Sequence, residues 1–257
     1  MKIAVTGKGG VGKTTVAAIL ARLYAEEGRN VLAVDVDPDA NLGLALGFSE
    51  EELESITPIS KMKELIQDRT GVDPEGISKM FRLNPKVDDI PEKFAKTCNG
   101  VKLLVLGTVD VAGAGCVCPE HVILKQLISH LVIQNQDVVI MDMEAGLEHL
   151  GRGTTSFMDR FIVVVEPGTR SIQTFKKVRE LAFDLGIPRV EALANKVRGP
   201  EDEEFIRNNV AEDELLGFVH YSNGVIEADR QGRSPFEMDD AVVSEIRRIK
   251  EKIDKTH

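Results

Sequence analysis

Residues Gly7-Lys8-Gly9-Gly10-Val11-Gly12-Lys13-Thr14-Thr15 have the types and spacing of a loop that holds a chain of phosphates. They satisfy G-x-x-x-x-G-K-[ST], and their flanks agree. The apolar run Ile3-Ala4-Val5 precedes them and Val16-Ala17-Ala18-Ile19-Leu20-Ala21 follows, so strand leads through loop to helix. Glycines let backbone amides close around phosphate oxygens with no Cβ in the way. The helix that follows aims its positive end at the same anion. Gly9, Gly10, Val11, Gly12, Lys13, Thr14 and Thr15 are therefore expected at the nucleotide. Lys13 should reach the β- and γ-phosphates, and Thr14 should place its hydroxyl on Mg²⁺.

Three further segments carry groups that could complete such a site. Val138-Val139-Ile140-Met141-Asp142 is an apolar run ending in a carboxylate. Many strands end this way, but beside a phosphate loop Asp142 is expected to hold Mg²⁺ through water. Met143-Glu144-Ala145-Gly146-Leu147-Glu148-His149 follows, where Gly146 frees the backbone to respond to the γ-phosphate. Val34-Asp35-Val36-Asp37-Pro38-Asp39-Ala40-Asn41 places carboxylates at another strand end, where they can orient water or hold Mg²⁺. Asp35 reads there as a strand terminus, and Asp39 as a solvated turn. In Asn195-Lys196-Val197-Arg198, Arg198 stands where guanine readers of the form N-K-x-D have an acceptor. The base expected is therefore adenine, so the nucleotide is ATP, with Asn195 on its exocyclic edge and Lys196 beside it.

Cys116-Val117-Cys118 adds a different chemistry. Two thiolates two residues apart can face one soft metal ion. They are half of a tetrahedral set. A two-fold dimer would supply the other half, with the ion on the axis. A buried pair with no metal fits the spacing as well. Cys98 lies apart and has no assigned role.

The elements that must position these residues alternate. Apolar, β-branched runs at 2–6, 30–35, 102–107, 137–142, 160–165, 189–194 and 215–219 read as about seven strands separated by helical patterns. Near-continuous runs such as Phe161-Ile162-Val163-Val164-Val165 imply burial on both faces. The expectation is a doubly wound, mostly parallel α/β sheet with helices on both faces, and ligands at the carboxyl ends of the strands. Residues 1–257 read as one domain. An irregular insertion at about 48–100 is punctuated by Pro58, Pro74, Pro85 and Pro91, with a helix near 60–69. The stretch 241–255 sets Val242, Val243, Ile246, Ile249 and Ile253 on one helical face under a mixed-charge surface, which predicts a helix packed on the sheet.

Composition narrows the partners. Of 257 residues 42% are apolar and 29% charged, ordinary for a globular protein. The net charge of −10 and the lack of Trp disfavour a nucleic-acid partner. Strand 1 begins at the N-terminus, leaving no room for a leader, and no apolar run reaches the ~20 residues of a membrane span. Three cysteines do not make a disulfide framework. A cytoplasmic location is expected.

Lys8 and the switch-like segment Asp35–Asn41 resemble the deviant Walker A class of ATPases, which includes MinD, ParA and the nitrogenase iron protein. That resemblance implies that Lys8 crosses a dimer interface to the partner's nucleotide and that Asp37 positions the attacking water. The segments GKGGVGKTT, DVDPDANLG, GAGCVCPEH, VVIMDMEAGLEHLGRGT and ANKVR occur in this order. Together they resemble the carbon monoxide dehydrogenase maturation ATPases, the CooC group, along the whole chain and least over 48–100. The resemblance implies a homodimer formed on ATP or metal binding, with Cys116 and Cys118 holding Ni²⁺ or Zn²⁺ between protomers. It also implies a nickel-enzyme client, carbon monoxide dehydrogenase or acetyl-CoA synthase. The rivals are a MinD- or ParA-like positioning ATPase, an iron-sulfur carrier and a small-molecule P-loop kinase.

Overall fold

The computed structural model describes residues 1–37, 40–72, 82–107, 119–133, 137–143, 158–184, 186–187 and 189–256. Its eight strands are β1 (Lys2–Thr6), β2 (Val31–Asp35), β3 (Lys96–Cys98), β4 (Val101–Val105), β5 (Val138–Asp142), β6 (Arg160–Val165), β7 (Val190–Val197) and β8 (Leu215–His220). They form one sheet in the order β3-β4-β2-β5-β1-β6-β7-β8. Every pairing is parallel except β3 with β4. The seven strands read from the sequence are present, and β3 is an eighth. Its hairpin turns on Asn99 and Gly100, both at positive φ (50° and 78°). That is the conformation a two-residue primed turn demands.

The continuous apolar runs arise because both faces are covered. In β6, Phe161, Val163 and Val165 face one core, and Ile162 and Val164 face the other. The second core is closed by α1 (Lys13–Glu26), α2 (Leu42–Leu46) and the C-terminal α11 (Asp240–Lys255). The first is closed by α4 (Lys63–Thr70), α6 (Pro119–Ile133), α7 (Thr169–Asp184) and α8 (Pro200–Arg207). The remaining helices among the described residues are short: α3 (Glu50–Glu54), a 3₁₀ turn Ile59–Lys61, α5 (Ile90–Phe94), α9 (Asn223–Arg230) and α10 (Pro235–Met238).

Helix α11 packs as expected. Val242, Val243, Ile246, Ile249 and Ile253 are all buried, against α1 and β8. Lys250 is buried with them at 2% exposure. Its ammonium donates to both Glu27 carboxylate oxygens at 2.7 Å and to Asp254 Oδ2 at 2.8 Å, and sits 4.3 Å from the Tyr24 ring centre. Among the described residues no helix is long and apolar enough to cross a membrane.

Candidate functional site

The site grows from the carboxyl ends of β1, β2, β5 and β7. β1 stops at Thr6, and the chain turns through Gly7–Gly12 into α1. Gly12 takes φ 94° and ψ 28°, a left-handed conformation, as the N-cap of α1. Among the described residues no side chain caps this helix end, and no acidic residue occupies its first turn. Its orphan amides and positive dipole end are thus left for an external anion.

Two adjacent residues of β7 hold the loop. Asn195, 8% exposed, donates from Nδ2 to the Val11 carbonyl at 2.8 Å. The Lys196 ammonium donates to the Gly10 carbonyl. Successive strand residues ordinarily point to opposite faces. Here the register of β7 against β8 shifts between Ala194 and Val197, and Lys196 adopts φ 59°. That irregularity lets both side chains reach one loop. The expected strand at 189–194 therefore runs to Val197, and Asn195 and Lys196 lie within it, not after it. A Cβ on Gly12 would lie 2.3 Å from Asn195 Nδ2, so residue 12 must be glycine while Asn195 stays in place.

Lys13, only 7% exposed, lines a cleft of about 590 Å³ together with Gly9, Gly10, Gly12, Thr14, Thr15, Asp37, Asn195 and Lys196. Val11 is fully buried and offers backbone only. Lys8 is half-buried and is not among the cleft's lining residues. At the cleft floor, Thr14 Oγ1 donates to Asp142 Oδ2 at 2.6 Å. Among the described residues Asp142 Oδ1 is buried without a hydrogen-bond partner. Asp35 is its direct neighbour across the β2–β5 ladder, and both side chains are fully buried.

Burial pushes the Asp142 carboxyl up to about 6, opposed by the Thr14 hydrogen bond and the Lys13 charge. Burial likewise lifts Asp35 to about 7, with the Asp142 charge adding to the rise and the amides of Leu42 and Asp37 opposing it. Hard oxygen donors, one of them orphaned, beside clustered carboxylates fit Mg²⁺. Among the described residues no group of three or more His, Cys, Asp or Glu is arranged to hold a metal ion.

The far wall of the cleft was not read from the sequence. Val219, His220, Tyr221 and Ser222 at the end of β8, with Val225 and Ile226 of α9, continue it. Ser222 caps α9 by accepting from the Gly224 amide at 3.0 Å, and it donates to Asp239. His220 Nδ1 lies 2.7 Å from Glu245 Oε1. Arg198 stacks over the Tyr221 ring at 4.8 Å, presenting donors and no acceptor there. Ser-Asn-Gly after an apolar run was the available signal, as a helix N-cap. Pro38, Asp39, Gly146, His149, Cys116 and Cys118 lie outside the described residues.

Comparison with known proteins gives a consistent result. The family model for the CobQ/CobB/MinD/ParA nucleotide binding domain matches residues 2–236. The carbon monoxide dehydrogenase accessory protein CooC of Rhodospirillum rubrum is 47% identical over 94% of this chain and 91% of its own length. An uncharacterized ATP-binding protein of Methanocaldococcus jannaschii is 44% identical over 97% of this chain and 96% of its own. Among solved structures, the septum site-determining protein MinD of Pyrococcus horikoshii, complexed with Mg-ADP, superposes with a TM-score of 0.66 at 23% identity. That match covers 99% of this chain and 96% of the other.

Proposed function

The chain belongs to the CobQ/CobB/MinD/ParA nucleotide-binding family, within it to the CooC-type group, and is an ATPase; on that premise we propose that it is an ATP-dependent nickel chaperone. The observation that carries the reading is near-full-length similarity to a protein named as a carbon monoxide dehydrogenase accessory protein. Lys8 and the C-x-C pair give it physical content.

In this reading the phosphates lie across Gly9–Thr15 with Lys13 on the β- and γ-phosphates. The base, adenine, lies between Asn195 and the β8–α9 wall. Thr14 and Asp142 would hold Mg²⁺, which would supply charge stabilisation to the phosphates when bound. Asp37 orients the attacking water. Lys8, lying outside the cleft of its own chain, reaches the partner's nucleotide across a two-fold axis. Cys116 and Cys118 of each subunit together cage one Ni²⁺ or Zn²⁺ on that axis. ATP and metal both favour the closed dimer, because a ligand that binds only the dimer shifts association toward it. Hydrolysis reopens the dimer and releases Ni²⁺ to carbon monoxide dehydrogenase or acetyl-CoA synthase. The chain acts as one cytoplasmic domain.

Metal analysis coupled to mass determination, with and without a non-hydrolysable ATP analogue, tests the proposal. Cys116→Ser with Cys118→Ser should abolish one-per-dimer Ni²⁺ or Zn²⁺ binding and leave nucleotide binding intact. Lys8→Ala should bind ATP and hydrolyse it poorly. Tight binding of one metal per dimer by the double serine variant, or undiminished turnover by Lys8→Ala, overturns the corresponding half.

A further inference from the structure

Asp35 ends β2 at a place where the other four strand residues, Val31-Leu32-Ala33-Val34, are apolar. It is fully buried, and its ladder neighbour is a second carboxylate, Asp142. A buried carboxylate beside another is unfavourable unless its oxygens are well used. Both are used, on main-chain donors. Oδ1 accepts the amide of Asp37 at 3.1 Å, and Oδ2 accepts the amide of Leu42 at 2.9 Å.

Leu42 is the first residue of α2, so its N–H is one of the orphans at a helix start. The other end of α2 is also tied down. Ser234 donates to the Ala45 carbonyl at 2.6 Å, and Arg22 and Asn99 donate to the Leu46 carbonyl at 3.1 and 3.3 Å. The segment between β2 and α2 therefore starts from a rigid strand and ends in an anchored helix. Asp35 joins the two, gripping the amide of Asp37 on one side and that of Leu42 on the other.

We propose that Asp35 is a positioning residue for hydrolysis: by holding the amides of Asp37 and Leu42 it sets where the Asp37 carboxylate stands in the cleft. Both of its carboxylate oxygens are engaged by main-chain amides, so it acts through Asp37. The inference rests on the assignment of Asp37 to the attacking water. Asparagine is its isostere but turns one acceptor into an NH₂ donor facing an N–H, so Asp35→Asn releases one of the two amides. Small displacements of a reacting group cost about 10²-fold.

The test is a turnover cycle with the full-length chain. Asp35→Asn should lower kcat about 10- to 100-fold and change KM for ATP less than threefold. In an Asp37→Ala background the same change should cost less than twofold further. Hydrogen exchange should speed up at the amides of Asp37 and Leu42. Should Asp35→Asn fail to fold, Asp35→Ser, which keeps one short acceptor and removes the buried charge, enters the same cycle. Unchanged kcat in a folded Asp35 variant, or losses that multiply with those of Asp37→Ala, overturns the inference. Full turnover by Asp37→Ala alone overturns the water assignment beneath it, a separate result.

Discussion

Gly12→Ala isolates the geometry of the phosphate loop. At φ 94° an alanine enters the left-handed region, at a cost of about 1–2 kcal/mol. Its Cβ would also lie 2.3 Å from Asn195 Nδ2, so Asn195 must leave the Val11 carbonyl it holds at 2.8 Å. Losing that hydrogen bond costs a further ~0.5–1.5 kcal/mol, and more if the buried amide finds no other partner. The total is about 1.5–3.5 kcal/mol, to be measured by urea unfolding without nucleotide. The two contributions separate in a cycle with Asn195→Ala. With the amide gone, Gly12→Ala should cost only the backbone share of ~1–2 kcal/mol. Equal costs in both backgrounds, or a total below ~1 kcal/mol, would refute the steric reasoning.

Other perturbations reach separate parts of the fold. The Asp35 and Asp142 carboxyls, raised to about 7 and about 6, bind protons in the folded chain that the unfolded chain has released. Their contribution is full below the ordinary carboxylate range of ~4 and is lost as pH rises through 6 and 7. The nucleotide-free chain should thus lose stability from pH ~4 to ~7, by at most ~1.4 kcal/mol per pH unit per group, and level off above that. Unfolding midpoints of Asp35→Asn should show a flatter slope than wild type, and a steeper one refutes the sign. Lys250→Met strands Glu27 and Asp254, but both are half-exposed, so the loss should be only ~1–2 kcal/mol. Because Lys250 meets the far end of α1 from the loop, ATP-analogue affinity should not change in that variant. A tenfold affinity loss would show that α1 transmits the defect.

Much of this arrangement was legible in the residues. The apolar runs of β1, β2, β5 and β6, three to five residues long, specify strands buried on both sides because nothing else shelters so many consecutive apolar side chains. Lys13, Thr14, Asp37 and Asp142 converge because each ends or follows a parallel strand, and such ends share one edge. Strand β3 was missed, since Lys96-Thr97-Cys98 is short and mostly exposed. Asn99-Gly100 nonetheless announced its hairpin. Asp35 read as a strand terminus because its two partners are amides, which carry no residue-type signal. Asn195 was expected at the base; its amide also grips Val11, through a strand irregularity that no spacing rule predicts.

That irregularity has a practical corollary. The kink at Lys196 means the nucleotide loop is not a portable cassette: its shape is written partly in residues nearly two hundred positions downstream. Anyone transplanting Gly7–Thr15 into another parallel sheet would have to carry over the far strand's corner as well, or the transplanted glycines would relax into some other turn.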